Sequence, residues 1–204
     1  MRLNIARVGG ALMLAGAIAC LVAAALALGG VAVGSGVQGP GGVVFDLSLV
    51  LALLAAILLA LTGEGPLASR TVRTGLAIMA LGVGGLLASS ITIRLALDLY
   101  LPFFLQLFFG IPITLLGWLV LGIGLLRRPA PARVVGRMLV GGLALLPVLV
   151  LIANLGSGNL RFGAVTTPLA ALAAALILAA IGGVGYLALT DRWSWLQAEG
   201  EGAG

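Results

Sequence analysis

The sequence contains neither histidine nor lysine, and its single cysteine is Cys20. Without histidine there is no ligand for a histidine-bound haem or zinc ion, and no imidazole to act as a general base. Without lysine there is no residue for a retinal Schiff base and no P-loop lysine. One cysteine forms neither an internal disulfide nor a cysteine metal cluster. We therefore predict no cofactor, no metal site and no enzymatic activity.

Charged residues are also scarce: they make up 8% of the 204 residues, whereas hydrophobic residues make up 62% and the mean hydropathy is +1.27. An ordinary soluble domain is about half apolar and about a quarter charged, and a spanning helix needs roughly 20 mainly apolar residues. Runs of that length occur at 8–29, 43–62, 74–93, 102–126, 138–155 and 168–189. They predict an all-α integral membrane protein, a bundle of six transmembrane helices. The helical domain covers 1–192, and a short mobile cytoplasmic tail follows at 193–204.

The arginines are distributed unequally between the two sides of the predicted spans. Nine of the eleven lie before the first span or after the second, fourth and sixth, whereas Arg94 and Arg161 lie on the other side. The positive-inside rule makes the arginine-rich side cytoplasmic, so both termini are predicted in the cytoplasm and the protein in the cell (plasma) membrane. The net charge of +5 then reflects topology and contact with the lipid bilayer. No nucleic-acid partner is predicted.

Small residues recur at every fourth position in the first and last predicted spans. These helix-packing candidates are Ala11, Ala15, Ala19, Ala23, Ala171, Ala175, Ala179 and Gly183. Small residues at this spacing let two helices approach closely in lipid. Two interpretations stay open. The stripes pack the six helices against one another, or one stripe docks a membrane partner subunit or a second copy of the chain.

Prolines and phenylalanines mark the fourth and fifth spans. Pro112 and Pro147 fall inside these spans, where each removes a helical hydrogen bond and predicts a kink. The stretch "LPFFLQLFFG" at 101–110 holds four of the six phenylalanines. It predicts an outer aromatic belt and core packing in preference to a ligand cage.

Polar side chains gather at the predicted outer ends of the spans. The candidate ligand-binding residues are Asp46, Ser89, Ser90, Thr92, Arg94 and Asp98. Charge is tolerated there because long side chains reach water near the interface, whereas at mid-membrane it costs about 2.5 to 3.5 kcal/mol. Arg94 is placed to pair either with Asp98, four residues further on, or with Asp46 across the bundle. Such a pair either fastens helix ends or lines an outward-facing site, in which a carboxylate binds a cation or amine and Arg94 an acidic group.

In size, number of spans, cytoplasmic termini and the small-residue spacing of its first helix, the chain resembles the substrate-binding subunits of energy-coupling-factor vitamin transporters. No substrate motif of that family occurs in it. The resemblance implies a membrane subunit of a transporter. We predict either such a subunit or a small solute carrier, with an outward-facing polar site. The alternative is a non-transporting membrane scaffold or accessory subunit of a larger membrane complex, in which the small-residue faces serve assembly.

Overall fold

The computed structural model describes residues 2–33, 39–62, 65–95, 100–155 and 163–189, and all regular structure in these ranges is helical. Asp98, Arg161 and the predicted tail at 193–204 lie outside them. The long helices are α1 (Arg2–Leu28), α2 (Pro40–Thr62), α3 (Arg70–Arg94), α5 (Ile111–Leu126), α6 (Ala132–Leu155) and α7 (Gly163–Leu189). The short elements are a 3-10 turn (Gly65–Ala68), α4 (Tyr100–Phe104) and a π-helical turn (Leu105–Gly110).

Five described segments are long and apolar enough to cross a membrane. They are Ile5–Ala27, Pro40–Thr62, Arg70–Arg94, Tyr100–Leu126 and Ala171–Leu189. Each contains most of a predicted span. Helix α6 covers the predicted span at 138–155 but is not one of the five, and it carries Arg133 and Arg137 near its start. The sixth crossing and the orientation of the termini therefore stay predictions.

Two helices begin several residues ahead of the apolar runs from which they were predicted, because local signals set their first residues. Helix α3 starts four residues ahead of its run, because the Ser69 hydroxyl oxygen accepts a hydrogen bond from the backbone N–H of Val72 at 3.2 Å. Helix α2 starts at Pro40, whose missing N–H and fixed φ suit a first helical position. Hydropathy thus locates the apolar middle of a helix, whereas polar and conformational signals set its ends.

The long helices form a ring in chain order. Each packs against the next one, and α7 closes the ring by packing against α1. Neighbours run antiparallel: Gly9 near the start of α1 faces Leu59 near the end of α2, and Gly10 faces Gly185 near the end of α7. We call the end of the bundle where α3 begins the Arg73 end, and the end where α3 finishes the Arg94 end.

The large buried side chains lie in the half of the bundle nearer the Arg73 end. The bulkiest apolar ones that are fully buried there are Met13, Leu59, Val72, Leu76, Met79, Leu121, Leu125, Leu139 and Val184. Towards the Arg94 end, the fully buried side chains of this group are Pro102, Ser89 and Ser90. Among the residues whose side chains are described, the interior therefore changes from bulky and apolar to small and polar along the bundle axis.

The contact between α3 and α5 is built on small residues spaced seven apart. Gly75, Gly82 and Ser89 follow this spacing on α3, and Gly110, Gly117 and Gly124 follow it along the π-helical turn and α5. A β-carbon added at Gly82 would overlap the backbone nitrogen and the Oγ1 of Thr114, and one added at Gly117 would overlap the backbone of Met79. The two backbones approach so closely that any side chain larger than hydrogen at these positions forces them apart.

The π-helical turn lies directly ahead of Pro112, where the sequence predicts a kink. The backbone N–H of Ile111 donates to the carbonyl of Gln106, five residues earlier. A proline cannot donate and its ring crowds the carbonyl four residues before it, and a widened turn moves the hydrogen-bonding register by one residue. Pro147, the second proline predicted to cause a kink, lies inside α6.

Candidate functional site

The interior-facing stripe of α3 changes from apolar to polar as it approaches the Arg94 end. Leu76, Met79 and Val83 are buried on this face, and Ser90 follows Val83 by seven residues, which returns it to the same side of the helix. Arg94 lies one turn beyond Ser90. The helical period therefore places Ser90 and Arg94 where the bulky apolar core has ended.

Asp46 of α2 receives hydrogen bonds from both of these residues. Arg94 donates from Nε at 2.9 Å and from Nη2 at 2.5 Å, both to Oδ2. Ser90 donates from Oγ to the other carboxylate oxygen, Oδ1, at 2.6 Å. Asp46 lies 44 residues before Ser90 and 48 before Arg94, so only the packing of α2 on α3 brings the three together.

The three residues, which we call the Asp46 cluster, differ in exposure. Ser90 is 1% exposed, whereas the side chains of Asp46 and Arg94 are 21% and 33% exposed. Nε and Nη2 of Arg94 both reach Oδ2, so their contact with Asp46 lacks the two-oxygen fork geometry that makes arginine–carboxylate pairs strongest. The cluster is thus anchored at a buried serine and open at its charged end.

The remaining predicted ligand-binding residues hold other positions. Ser89 donates from Oγ to the carbonyl of Pro102 at 2.9 Å, which ties α3 to α4. Thr92 donates to the carbonyl of Ala88, one turn earlier in its own helix, at 2.8 Å. Asp98 lies outside the described residues. The hydroxyl hydrogens of Ser89 and Thr92 are therefore already bonded to backbone carbonyls. Of the predicted ligand-binding residues that are described, those that bond to one another's side chains are the three of the Asp46 cluster.

The phenylalanines ahead of Pro112 lie on the outer surface. Phe103, Phe104, Phe108 and Phe109 are all exposed, and the rings of Phe104 and Phe108 stack with centroids 5.3 Å apart. In a membrane protein such rings face lipid or the headgroup layer.

Some of the predicted helix-packing residues are buried between helices, and others are exposed on the outside of the bundle. Ala19 and Ala23 of α1 are buried, and a β-carbon added at Gly183 of α7 would meet Val135 of α6. The exposed members of the set are Ala11, Ala171, Ala175 and Ala179, while Ala15 is half-buried. The sequence interpretation missed the seven-residue spacing on α3 and α5, although Gly110, Gly117 and Gly124 show it in the sequence alone.

Two arginines at the Arg73 end bond to backbone carbonyls. Arg73 donates from Nε to the carbonyl of Ala60 at 2.7 Å, and Arg133 donates to the carbonyl of Arg128 at 3.1 Å. Arg70, Arg127 and Arg137 are exposed at the same end. In the ranges described, no three histidine, cysteine, aspartate or glutamate side chains are grouped to hold a metal ion.

Long apolar helices, a ring of antiparallel neighbours and few charged residues make this chain a helical membrane protein. No family model, curated protein or solved structure matches it. The features that bear on its function are therefore the Asp46 cluster and the surfaces of the bundle.

Proposed function

We propose that the protein is a small solute carrier, or the membrane subunit of a transporter, that binds a polar solute at Asp46, Ser90 and Arg94. The observation that supports this is an ion pair contacting a buried serine on the interior face of α3, beyond the end of the apolar core. Ion pairs removed from water contribute little to stability compared with apolar packing. Ionisable groups in membrane helices more often mark sites that handle solutes or ions.

The arginine distribution gives this proposal a direction. The exposed arginines of the Arg73 end make that end cytoplasmic by the positive-inside rule, so the Asp46 cluster faces the outside. The bulky core then lies between the cluster and the cytoplasm. In the proposed carrier, a solute enters from the outside and meets the charged pair before it meets the apolar barrier.

A second function, assembly with another membrane subunit, is supported by the outer face of α7. Ala171, Ala174, Ala175 and Ala179 are exposed there, beside the exposed Leu172. The lipid-facing side of α2 instead carries large residues such as Leu47, Leu54 and Leu61. Small exposed residues form a shallow groove into which another helix fits.

Thermal-shift screening of the detergent-purified protein against small polar metabolites tests the carrier proposal. A solute present at about 100 times its dissociation constant stabilises the folded state by about 2.7 kcal/mol, which corresponds to a rise of roughly 5 to 10 °C in the melting midpoint. We expect such a rise for wild type and none for Asp46→Asn or Arg94→Gln. Arg137→Gln, at the opposite end of the bundle, is the matched control and should keep the full shift.

Equal stabilisation of wild type and both cluster variants would place the solute elsewhere and refute the site. Assembly becomes the better interpretation if no solute shifts the midpoint and light scattering shows a complex. In that case Ala175→Leu, which fills the groove on α7, should dissociate the complex, while Leu54→Ala on the lipid-facing side of α2 should leave it intact.

A further inference from the structure

Arginines from three neighbouring helix ends lie together at the Arg73 end, and we call them the arginine cluster. They are Arg70 and Arg73 of α3, Arg127 and Arg128 directly after α5, and Arg133 of α6. Close backbone packing joins these helix ends. A β-carbon added at Gly124 of α5 would lie 3.1 Å from the backbone nitrogen of Val72 on α3. One added at Gly136 of α6 would lie 2.8 Å from the backbone nitrogen of Leu126 on α5.

The positive charge of this end exceeds what the carboxylates of the chain can balance. Asp46 is the one acidic residue that the structure describes, and it lies at the Arg94 end. On the Arg73 side of the predicted spans, the sequence places nine arginines and four acidic residues: Glu64, Asp191, Glu199 and Glu201. Even when each of these carboxylates has an arginine partner, an excess of five positive charges stays at this end. The surface is therefore suited to an anionic ligand.

Two guanidinium groups of the cluster are anchored to the backbone through Nε. Arg73 donates to the carbonyl of Ala60 at 2.7 Å, and Arg133 donates to the carbonyl of Arg128 at 3.1 Å. A guanidinium has five N–H donors, so each anchor leaves the Nη donors for a phosphate, which arginine can bind with two parallel hydrogen bonds. Because the anchors already restrict these long side chains, a bound anion has less side-chain entropy to remove.

The arginine cluster lies where membrane-length apolar segments end. Arg70 is the first residue of the segment Arg70–Arg94, and Arg127 directly follows the segment Tyr100–Leu126. Apolar surface continues from the cluster along the bundle: Ile123, one turn before Arg127, is 38% exposed, and Val134, beside Arg133, is 45% exposed.

We infer that the arginine cluster is a binding site for an anionic phospholipid. Its phosphate bonds to the arginines, and its acyl chains lie against the apolar outer surface of α5 and α6. Basic surfaces at the membrane ends of helices bind anionic headgroups in this way. A soluble phosphate or an acidic protein segment matches the charge of the cluster but leaves the adjoining apolar surface unused, so the combination of the two surfaces favours a lipid.

Native mass spectrometry of the full chain in neutral detergent, titrated with single lipids, tests this site. We expect phosphatidylglycerol to bind with saturable stoichiometry and about tenfold or more tightly than zwitterionic phosphatidylcholine. Arg73→Gln and Arg127→Gln should each weaken phosphatidylglycerol binding about fivefold, since one arginine near an anionic headgroup contributes that much. Arg127 is exposed, so its replacement should leave the fold unchanged. Arg7→Gln is the matched control, because Arg7 is exposed at the same end on α1, which packs between α2 and α7, and should keep wild-type affinity.

Several results would overturn the lipid site. Equal weakening by Arg7→Gln and Arg127→Gln would mean that lipid responds to the charge of the whole end and not to the cluster. Equal affinity for phosphatidylglycerol and phosphatidylcholine would reject recognition of the anionic headgroup. Glycerol phosphate that binds as tightly as phosphatidylglycerol would identify a soluble anion as the ligand, and a polyglutamate peptide that binds more tightly than the lipid would favour an acidic protein segment.

Discussion

Replacing Gly82 by alanine should lower the melting midpoint of the purified protein by roughly 10 °C. The added β-carbon would overlap the backbone nitrogen and Oγ1 of Thr114 on α5, and the backbone nitrogen cannot swing aside as the end of a flexible side chain would. Overpacking in a well-packed interior typically costs about 1 to 3 kcal/mol, occasionally more. We expect a clash with backbone atoms to cost an amount at the upper end of this range. For a chain of this size, each kcal/mol of lost stability lowers the melting midpoint by about 2 to 4 °C.

The effect should spread along the whole contact between α3 and α5. Separating the helices at Gly82 also loosens the approach of Gly117 to Met79 and of Gly75 to Leu121, which lie one and two turns closer to the Arg73 end. Helix association in lipid depends on such close van der Waals contact, because the lipid chains themselves are apolar. The free energy of unfolding should therefore fall by more than the loss of one contact would cause.

Gly84→Ala is the matched control, two residues further along the same helix. A β-carbon there meets only Leu53 Cδ1, at 4.0 Å, which is ordinary contact. Alanine should be neutral or stabilise by roughly 0.5 to 1 kcal/mol through its better helix propensity. Melting is followed by size-exclusion chromatography of heated detergent samples. Equal midpoints for the two variants would show that α3 and α5 do not approach as described.

Breaking the pair between Asp46 and Arg94 should have the second largest effect. Exposed ion pairs contribute about 0 to 1 kcal/mol, whereas removing one partner of a buried pair costs about 3 to 5 kcal/mol. With side chains 21% and 33% exposed, this pair lies between the two limits. We expect Asp46→Asn and Arg94→Gln each to destabilise the protein by about 1 to 3 kcal/mol, because each removes the ion pair and its charge-assisted hydrogen bonds between α2 and α3.

The double variant should be less destabilised than the sum of the two single variants. A double-mutant cycle isolates the interaction, and the coupling should reach about 1 to 2 kcal/mol. Denaturation by SDS in mixed micelles, followed by circular dichroism, supplies the four free energies. Ser48→Ala is a suitable reference, since its hydroxyl bonds to the carbonyl of Phe45 within its own helix. Additivity to within about 0.5 kcal/mol would mean that the pair does not join α2 to α3.

Features that depend on neighbouring residues along the chain were predictable from the sequence, whereas contacts between helices were not. The apolar runs located five of the membrane-length helices, because each residue adds its own transfer free energy whatever its neighbours do. Capping by Ser69 and the start at Pro40 were also visible locally, yet hydropathy alone placed those starts several residues late. The apolar run measures the membrane crossing and not the whole helix.

The candidate site was only partly predictable. The sequence placed Asp46, Ser90 and Arg94 at the same end of the bundle. It offered two candidate partners for Arg94, Asp46 and Asp98. It could not show that Ser90 donates to one carboxylate oxygen while Arg94 donates to the other, since the residues are 44 and 48 positions apart and belong to different helices. Nor could it show that Ser89 and Thr92, of the same polar type, bond to backbone carbonyls instead.

The sequence by itself determined that this is a helical membrane protein, where its apolar helices lie, and that charge is confined to helix ends. Only the tertiary structure decided which face of each helix turns inward. In water a hydrophobic stripe marks that face, but in lipid both faces are apolar and hydropathy does not distinguish them. The choice of Gly75 and Gly82 over the exposed alanines of α7 as packing positions therefore depended on how closely each neighbouring backbone approaches.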